Sequence, residues 1–232
     1  MNNKIEKINN YLKELSRKKI KTIEEVEKQQ EMSIQLQRLL DEEIAPLIIE
    51  LNMIGLEVNS IWDLVNSKKG YIEAIPILLE HLTRDYSEKN KEGIVRSLAV
   101  KEAIGKIIPT LLNEYNKSDI SATSLRWAIG NTIYTTITKN DEDQILSLIQ
   151  IVKNKANGKS RQMFIMALGK TKSPIVEDVL INLLDDEEVI PYALDALGRI
   201  KSIKSKEKVS TLLKHKNELV RKGAKKALTK IP

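Results

Sequence analysis

The residues on which chemistry could rest are few. Two histidines are present: His81, which follows Glu80, and His215, which sits among lysines. There is no cysteine, so disulfides, thiolate metal sites and cysteine nucleophiles are excluded. Two separated histidines do not supply a nitrogen-rich metal set, and neither a metal nor a cofactor is expected. No Ser-His-acid arrangement or glycine-rich phosphate loop is found. Gly158-Lys159-Ser160 lacks the upstream glycine spacing that would let a backbone cradle a phosphate. No catalytic residue is therefore assigned.

Binding chemistry has more to work with. Lys170, Arg199 and Lys230 recur at one offset within three related phrases, RQMFIMALGK (161–170), PYALDALGRI (191–200) and KGAKKALTKI (222–231). Lys222, Lys226 and Lys230 follow one another at i, i+4 and i+8, the spacing of a single helical face. Such a ridge suits phosphates or an acidic protein surface. It equally suits a solvated helix end, where cations complement the helix dipole. A second row runs Arg96, Trp127, Met166, Asp195, Lys226. Its members differ at every step while their neighbours repeat, as expected of a recognition face or of an ordinary solvated one.

The elements that position these rows are helices. With Leu98, Ile129, Leu168, Leu197 and Leu228 as markers, the spacings are 31, 39, 29 and 31 residues. A period of this size indicates stacked helical repeats. One residue before each marker stand Ser97, Ala128, Ala167, Ala196 and Ala227, and four before stand Ile94, Leu125, Phe164, Ala193 and Ala224. The two rows share one face and predict a continuous seam, with the small residue allowing close approach. Gly130, Gly169 and Gly198, one after the marker, are expected to end the helices in a left-handed cap. An apolar segment precedes each marker helix, most with a leucine pair, so each unit reads as an antiparallel helix pair. Pro46, Pro76 and Pro109 are placed inside first helices, where they should kink them.

These phrases resemble HEAT-type repeats, in particular the short form first named from phycobilisome lyases. Asn217, Val220, Arg221, Ala224, Ala227 and Leu228 match that pattern; PYALDALGRI keeps its Ala-Leu-Gly part without the Val-Arg. The resemblance covers about 72–232 and is strongest from 160. WDLVN (62–66) followed by AIPILLEHL is similar to a group of bacterial HEAT-repeat proteins without an established activity. HEAT-type motifs specify fold well and function poorly. Two enzyme families share the architecture. Deoxyhypusine hydroxylase builds a di-iron site from several His-Glu pairs, which the single Glu80/His81 pair does not match. Alkylpurine DNA glycosylases use tryptophans, an aspartate and basic residues, roles into which Trp62, Asp63, Trp127 and Arg126 could be cast, although the surrounding motifs differ.

Composition agrees with a repeat protein. Of 232 residues, 41% are hydrophobic but only 4% aromatic, which suits a Leu/Ile/Ala core and disfavours a base-stacking platform. The net charge is +6, unevenly distributed: Arg199–Pro232 carries twelve Lys/Arg against Glu207 and Glu218. The first residues have no uninterrupted apolar core, and no apolar run approaches the ~18 residues of a membrane span. A cytoplasmic protein with no membrane partner is expected. Lysine outnumbers arginine 30 to 8, hinting at an AT-rich bacterial genome.

The expected architecture is all-α: a right-handed α-solenoid of stacked antiparallel helix pairs with N-terminal capping helices. Residues 1–42 form the helical cap or a coiled-coil-like extension, and 43–232 the repeat domain. A degenerate repeat covers 43–70, followed by helix pairs 72–101, 102–132, 141–170, 174–200 and 204–231. Within the cap, a helix from Asn2 to about Lys19 and a second from Thr22, as N-cap, to about Glu43 are predicted. The expected role is a non-enzymatic protein-interaction module that binds its partner on the face of the second helices. The alternative is nucleic-acid binding through the basic C-terminal ridge, with glycosylase-like chemistry as a remote extension. The residues carrying either role are Arg96, Trp127, Met166, Lys170, Asp195, Arg199, Lys222, Lys226 and Lys230. A lyase-like role is suggested only by the name of the repeat.

Overall fold

The computed structural model describes residues 2–232, which leaves residue 1 of the predicted cap outside the description. The described residues form thirteen α-helices joined by short 3-10 turns, with no strand among them. They fall into two compact units, Met1–Ser97 and Leu98–Pro232.

In the N-terminal unit, α1 (Asn2–Arg17) packs on α2 (Ile23–Met53). Ile5, Ile8 and Leu15 are buried, as their 3.6-residue spacing requires. Thr22 caps α2 as predicted: its hydroxyl accepts from Glu25 N–H, and the Glu25 carboxylate accepts from Thr22 N–H. The helix does not stop near Glu43. It continues through Pro46 to Met53, because Leu40, Ile44, Leu47 and Leu51 keep one apolar stripe in register across that point. Three shorter helices follow, α3 (Ile61–Val65), α4 (Ala74–Leu82) and α5 (Glu88–Ser97). Glu43 fixes the start of α5 from outside, its carboxylate accepting from Ser87 N–H, Ser87 Oγ–H and Asn90 Nδ2.

The C-terminal unit alternates first and second helices. The first helices are α6 (Ile108–Lys117), α8 (Ile145–Lys153), α10 (Glu177–Asn182) and α12 (Lys206–Thr211). The second helices are α7 (Thr123–Thr136), α9 (Arg161–Thr171), α11 (Ile190–Ile200) and α13 (Glu218–Leu228). Each second helix packs on the next, α7 on α9, α9 on α11 and α11 on α13. Both predicted rows lie in this seam: Leu125, Phe164, Ala193 and Ala224, and Ala128, Ala167, Ala196 and Ala227, are all buried. Each large apolar member stabilises the fold by about 1.5–3 kcal/mol. Of the three prolines, only Pro46 lies well inside its helix; Pro76 and Pro109 occupy first turns, where the missing N–H has no intrahelical partner to lose.

The role predicted for the glycines is corrected. Gly130, Gly169 and Gly198 do not end their helices, which run on to Thr136, Thr171 and Ile200. They are contact points between second helices. A Cβ on Gly169 would stand 2.8 Å from Ala196 Cβ and 2.9 Å from its Cα. One on Gly198 would stand 3.1 Å from Ala227 Cα, and one on Gly130 would stand 2.9 Å from the Phe164 ring. At Gly169 and Gly198 the glycine of one repeat meets the small residue of the next, so there the two rows are halves of one contact, whereas Gly130 makes room for Phe164.

The left-handed caps lie three residues further on, at Lys172 and Lys201, both at φ 57°. At the second of these, Lys201 N–H and Ser202 N–H both reach the Leu197 carbonyl. An L-residue is strained there by about 1–2 kcal/mol, a cost glycine avoids. Lys201→Gly should therefore raise stability by about 0.5–1 kcal/mol after the entropic cost of glycine, read as a higher midpoint in urea.

Candidate functional site

The face built by α7, α9, α11 and α13 carries most of the predicted binding residues. Arg96 belongs to the N-terminal unit, where its guanidinium pairs with Glu92 at 2.8 Å. Trp127, Met166 and Asp195 are half-buried on successive second helices, and Lys226 is exposed on the last. The packing of those helices holds these four in one row.

Tyr134, which sequence reasoning passed over, organises the centre of this face. Lys170 Nζ donates to the carbonyls of Tyr134 (2.6 Å) and Thr135 (3.1 Å), in the last turn of α7, and stands 5.3 Å from the centre of the Tyr134 ring. Arg199, one helix further, reaches past α9 to donate to Tyr134 Oη at 3.0 Å. Lys170 thus acts as a helix C-terminal cation for the neighbouring repeat rather than its own. Burial, and then the nearby Arg199 charge, push the Lys170 amine below the ordinary lysine range.

Asp195 links the remaining cations. It accepts from Lys226 Nζ at 3.1 Å and from Arg199 at 3.5 Å. Burial pushes its carboxyl up, but Lys226, Lys230 and Arg199 outweigh that and hold it below the usual range. Arg199 Nε is buried without a hydrogen-bond partner. Lys170 and Arg199 meet at Tyr134, and Asp195 joins Arg199 to Lys226, so the four helices carry a polar ladder with a carboxylate between cations, not a ridge of one sign.

Part of the C-terminal excess of cations is paired in the same way, by acids of the preceding repeat. Lys204 pairs with Asp178, Lys208 with Asp185 at 2.7 Å, Lys216 and His215 with Glu187 at 3.2 and 3.3 Å. Lys222 pairs with Glu218 on its own helix at 2.7 Å. Exposed pairs of this kind add little stability, about 0–1 kcal/mol each, but they compensate the charge that a phosphate backbone would need. Lys230 lies beyond the end of α13, in a turn, so the predicted i, i+4, i+8 helical ridge is cut to Lys222 and Lys226.

Buried arginines are the other feature missed in the sequence. Arg161, the first residue of α9, is 1% exposed. It donates to Val152 O (3.3 Å), Gly158 O (3.1 Å), Asp186 (2.8 Å) and Glu188 (2.8 Å). Arg221 of the Val-Arg signature caps the same kind of turn through His215 O (2.7 Å) and Lys216 O (2.9 Å). Arg126 does so for α6 through Tyr115 O and Ser118 O. The available signal was an arginine opening a second helix, at Arg161 and Arg221 seven residues before the marker.

The glycosylase-like set is occupied structurally. Asp63 accepts from the N–H groups of Asn59 and Ser60 and caps α3. Arg126 is held by four acceptors. Trp62 is half-buried with Lys89 Nζ 4.8 Å from the ring centre. His81 is fully buried, its Nδ1 2.7 Å from Tyr86 Oη and its Nε2 3.1 Å from Glu50. Among the described residues no group of three or more His, Cys, Asp or Glu converges, and no helix is long and apolar enough to cross a membrane.

No curated protein and no solved structure matches the chain. Residues 145–229, which span α8 to α13, match the family model described as HEAT repeats. HEAT repeats are generally protein-interaction modules. With that match, and with Gly169 stacked on Ala196 and Gly198 on Ala227, residues 145–229 are similar to HEAT repeats within an all-helical chain.

Proposed function

We propose that the protein is a non-enzymatic, cytoplasmic interaction module, a scaffold, adaptor or inhibitor, which binds a protein partner on the second-helix face. The observation that carries this reading is the contrast along α7, α9, α11 and α13. Contact positions are invariantly small or apolar, while the outward row changes from Trp127 to Met166 to Asp195 to Lys226. The Tyr134–Lys170–Arg199–Asp195 ladder holds Asp195, and through it Lys226, before a partner arrives, which lowers the entropy cost of binding. The finer architecture belongs to the same proposal. The helix pairs assigned to 72–101, 102–132, 141–170, 174–200 and 204–231 are the repeats, wound right-handed; residues 1–42, α1 with the first part of α2, are a helical cap; and 43–70, which takes in the rest of α2, is a degenerate repeat.

A nucleic-acid partner is less well supported. Of the proposed basic ridge, Lys170 is spent on carbonyls, Arg199 on Tyr134 and Asp195, Lys226 on Asp195 and Lys222 on Glu218. Phosphate binding depends on cations free to displace counterions.

The test is a photo-crosslinking amino acid placed at Met166, and for comparison at the exposed Leu146 of α8, in living cells. A discrete crosslinked band at Met166 that is absent at Leu146, and is lost on Trp127→Ala with Asp195→Lys, is the expected result. Equal labelling at both positions would sink the assignment of the face.

A further inference from the structure

Two buried arginines do one job in successive repeats, and only one of them is neutralised. Arg161 closes the end of α8 and is met by two carboxylates, Asp186 and Glu188, from the turn before α11. Arg126 closes the end of α6 from one turn deeper in its own helix. It is 6% exposed and lies 3.8 Å from the centre of the Tyr115 ring. Its partners are Tyr115 O (3.1 Å), Ser118 O (3.0 Å), Ser118 Oγ (3.2 Å) and, from the turn before α9, Asn157 Oδ1 (2.8 Å). All four are neutral. Where the next repeat places an acid, this one places an amide.

Among the described residues no carboxylate lies within ion-pair distance of Arg126. Asp119 feels its charge only at longer range, and that carboxylate is engaged by Ser121 N–H at 2.8 Å. Arg126 Nε is covered and has no hydrogen-bond partner. A guanidinium removed from water without a counter-charge is costly, and the carbonyl end of α6 offsets only part of that cost. Over it lies a groove of about 250 Å³ between α6 and α8, whose walls include Asn116, Ser147, Gln150 and Asn154. No acidic residue lines it. Amides and a hydroxyl can donate to an anion without opposing it.

We propose that this groove is a carboxylate-binding site, occupied by an Asp or Glu side chain from an acidic segment of a partner protein. The Arg161 pocket shows what the same arrangement accepts when its ligand is built in, and that ligand is a carboxylate. The site lies between first helices and is independent of the second-helix face proposed above.

The chain supplies its own test. Gln150→Glu and Asn116→Asp each place a carboxylate in the groove wall at an exposed position, and neither side chain gives up a hydrogen bond. Both should keep the helicity and thermal midpoint of the parent, because each supplies the missing counter-charge. Binding of a fluorescein-labelled, Glu- and Asp-rich peptide, followed by anisotropy at low salt, should weaken at least tenfold in each. Asn182→Asp makes the same change of net charge on α10 and should bind within twofold of the parent. The proposal is overturned if the parent does not bind the peptide, or if the groove variants bind as the parent does. It is likewise overturned if Asn182→Asp loses binding equally. Competition by glutarate at concentrations where inorganic phosphate does not compete supports a carboxylate site, and equal competition by both overturns that assignment.

Discussion

Replacing Arg161 by methionine is expected to destabilise the C-terminal unit by about 3–5 kcal/mol, the usual cost of removing one partner from a buried ion pair. The side chain is 1% exposed and makes four hydrogen bonds, one to a carbonyl in the last turn of α8, one to a carbonyl of the α8–α9 connection and two to carboxylates of the following repeat. Methionine fills the volume, so loss of packing contributes little. What remains is Asp186, a carboxylate with 13% side-chain exposure, deprived of its cation; Glu188, at 36%, can turn back to water. The loss should therefore fall mainly on the Asp186 contact, and Arg161→Met with Asp186→Asn should recover part of it. A double-mutant cycle in urea measures this, and additive losses would show that the pair is not coupled. The pH dependence has a definite sign. Burial pushes the Asp186 carboxyl up, but the Arg161 hydrogen bond and charge hold it below its ordinary value. The unfolded chain thus binds that proton more readily. The stabilisation is complete above the ordinary carboxylate range, about pH 4, and is lost as pH falls through the lowered folded value. In Arg161→Met this part of the acid sensitivity should disappear.

Gly169→Val should cost about 3 kcal/mol for a different reason. Valine at a helical position gains a few tenths of a kcal/mol over glycine in propensity. Against that, a Cβ there stands 2.9 Å from the backbone Cα of Ala196, so α9 and α11 must separate. Overpacking of this kind costs about 1–3 kcal/mol and more where backbone must move. Gly169→Ala should sit between, its propensity gain of about 1 kcal/mol offsetting part of the clash. Ala196→Gly should partly rescue either variant by vacating the Cβ at 2.8 Å. Had glycine served as a cap, Gly169→Ala would be damaging through backbone strain and Ala196→Gly would not rescue it. The rescue experiment therefore separates the two accounts.

Glycine is where sequence reasoning went furthest astray, and the cause is physical. A glycine after the last seam residue satisfies both a cap and a helix contact, and only the partner across the interface distinguishes them. The true caps, Lys172 and Lys201, carry no compositional signal because lysine is an ordinary surface residue. By contrast, the seam at Ala128, Ala167, Ala196 and Ala227 was legible because burial leaves a 3.6-residue period in one dimension. The site was half legible. Lys170, Arg199, Asp195 and Lys226 could be aligned by offset, but not the pairing that joins helices, which spans 31 residues from Asp195 to Lys226 and 36 and 65 residues from Tyr134 to Lys170 and Arg199. Tyr134 was invisible for the same reason: it repeats nowhere, and its importance comes from being where Lys170 and Arg199 converge.

The glycine-to-alanine contacts also carry a mechanical consequence. Along α9, α11 and α13 neighbouring second helices touch with almost no side chain between them, at Gly169–Ala196 and Gly198–Ala227. On the first-helix side, α10 and α12 and the turns beside them are linked by lysine–aspartate pairs such as Lys204–Asp178 and Lys208–Asp185. Backbone against backbone is stiff, whereas flexible charged side chains yield. Under load, adjacent repeats should therefore pivot about the line of small residues while the first helices fan apart or close. The second-helix face at Gly169–Ala196 and Gly198–Ala227 would then lie on the hinge axis and keep its spacing, and the outer edge would take up the strain.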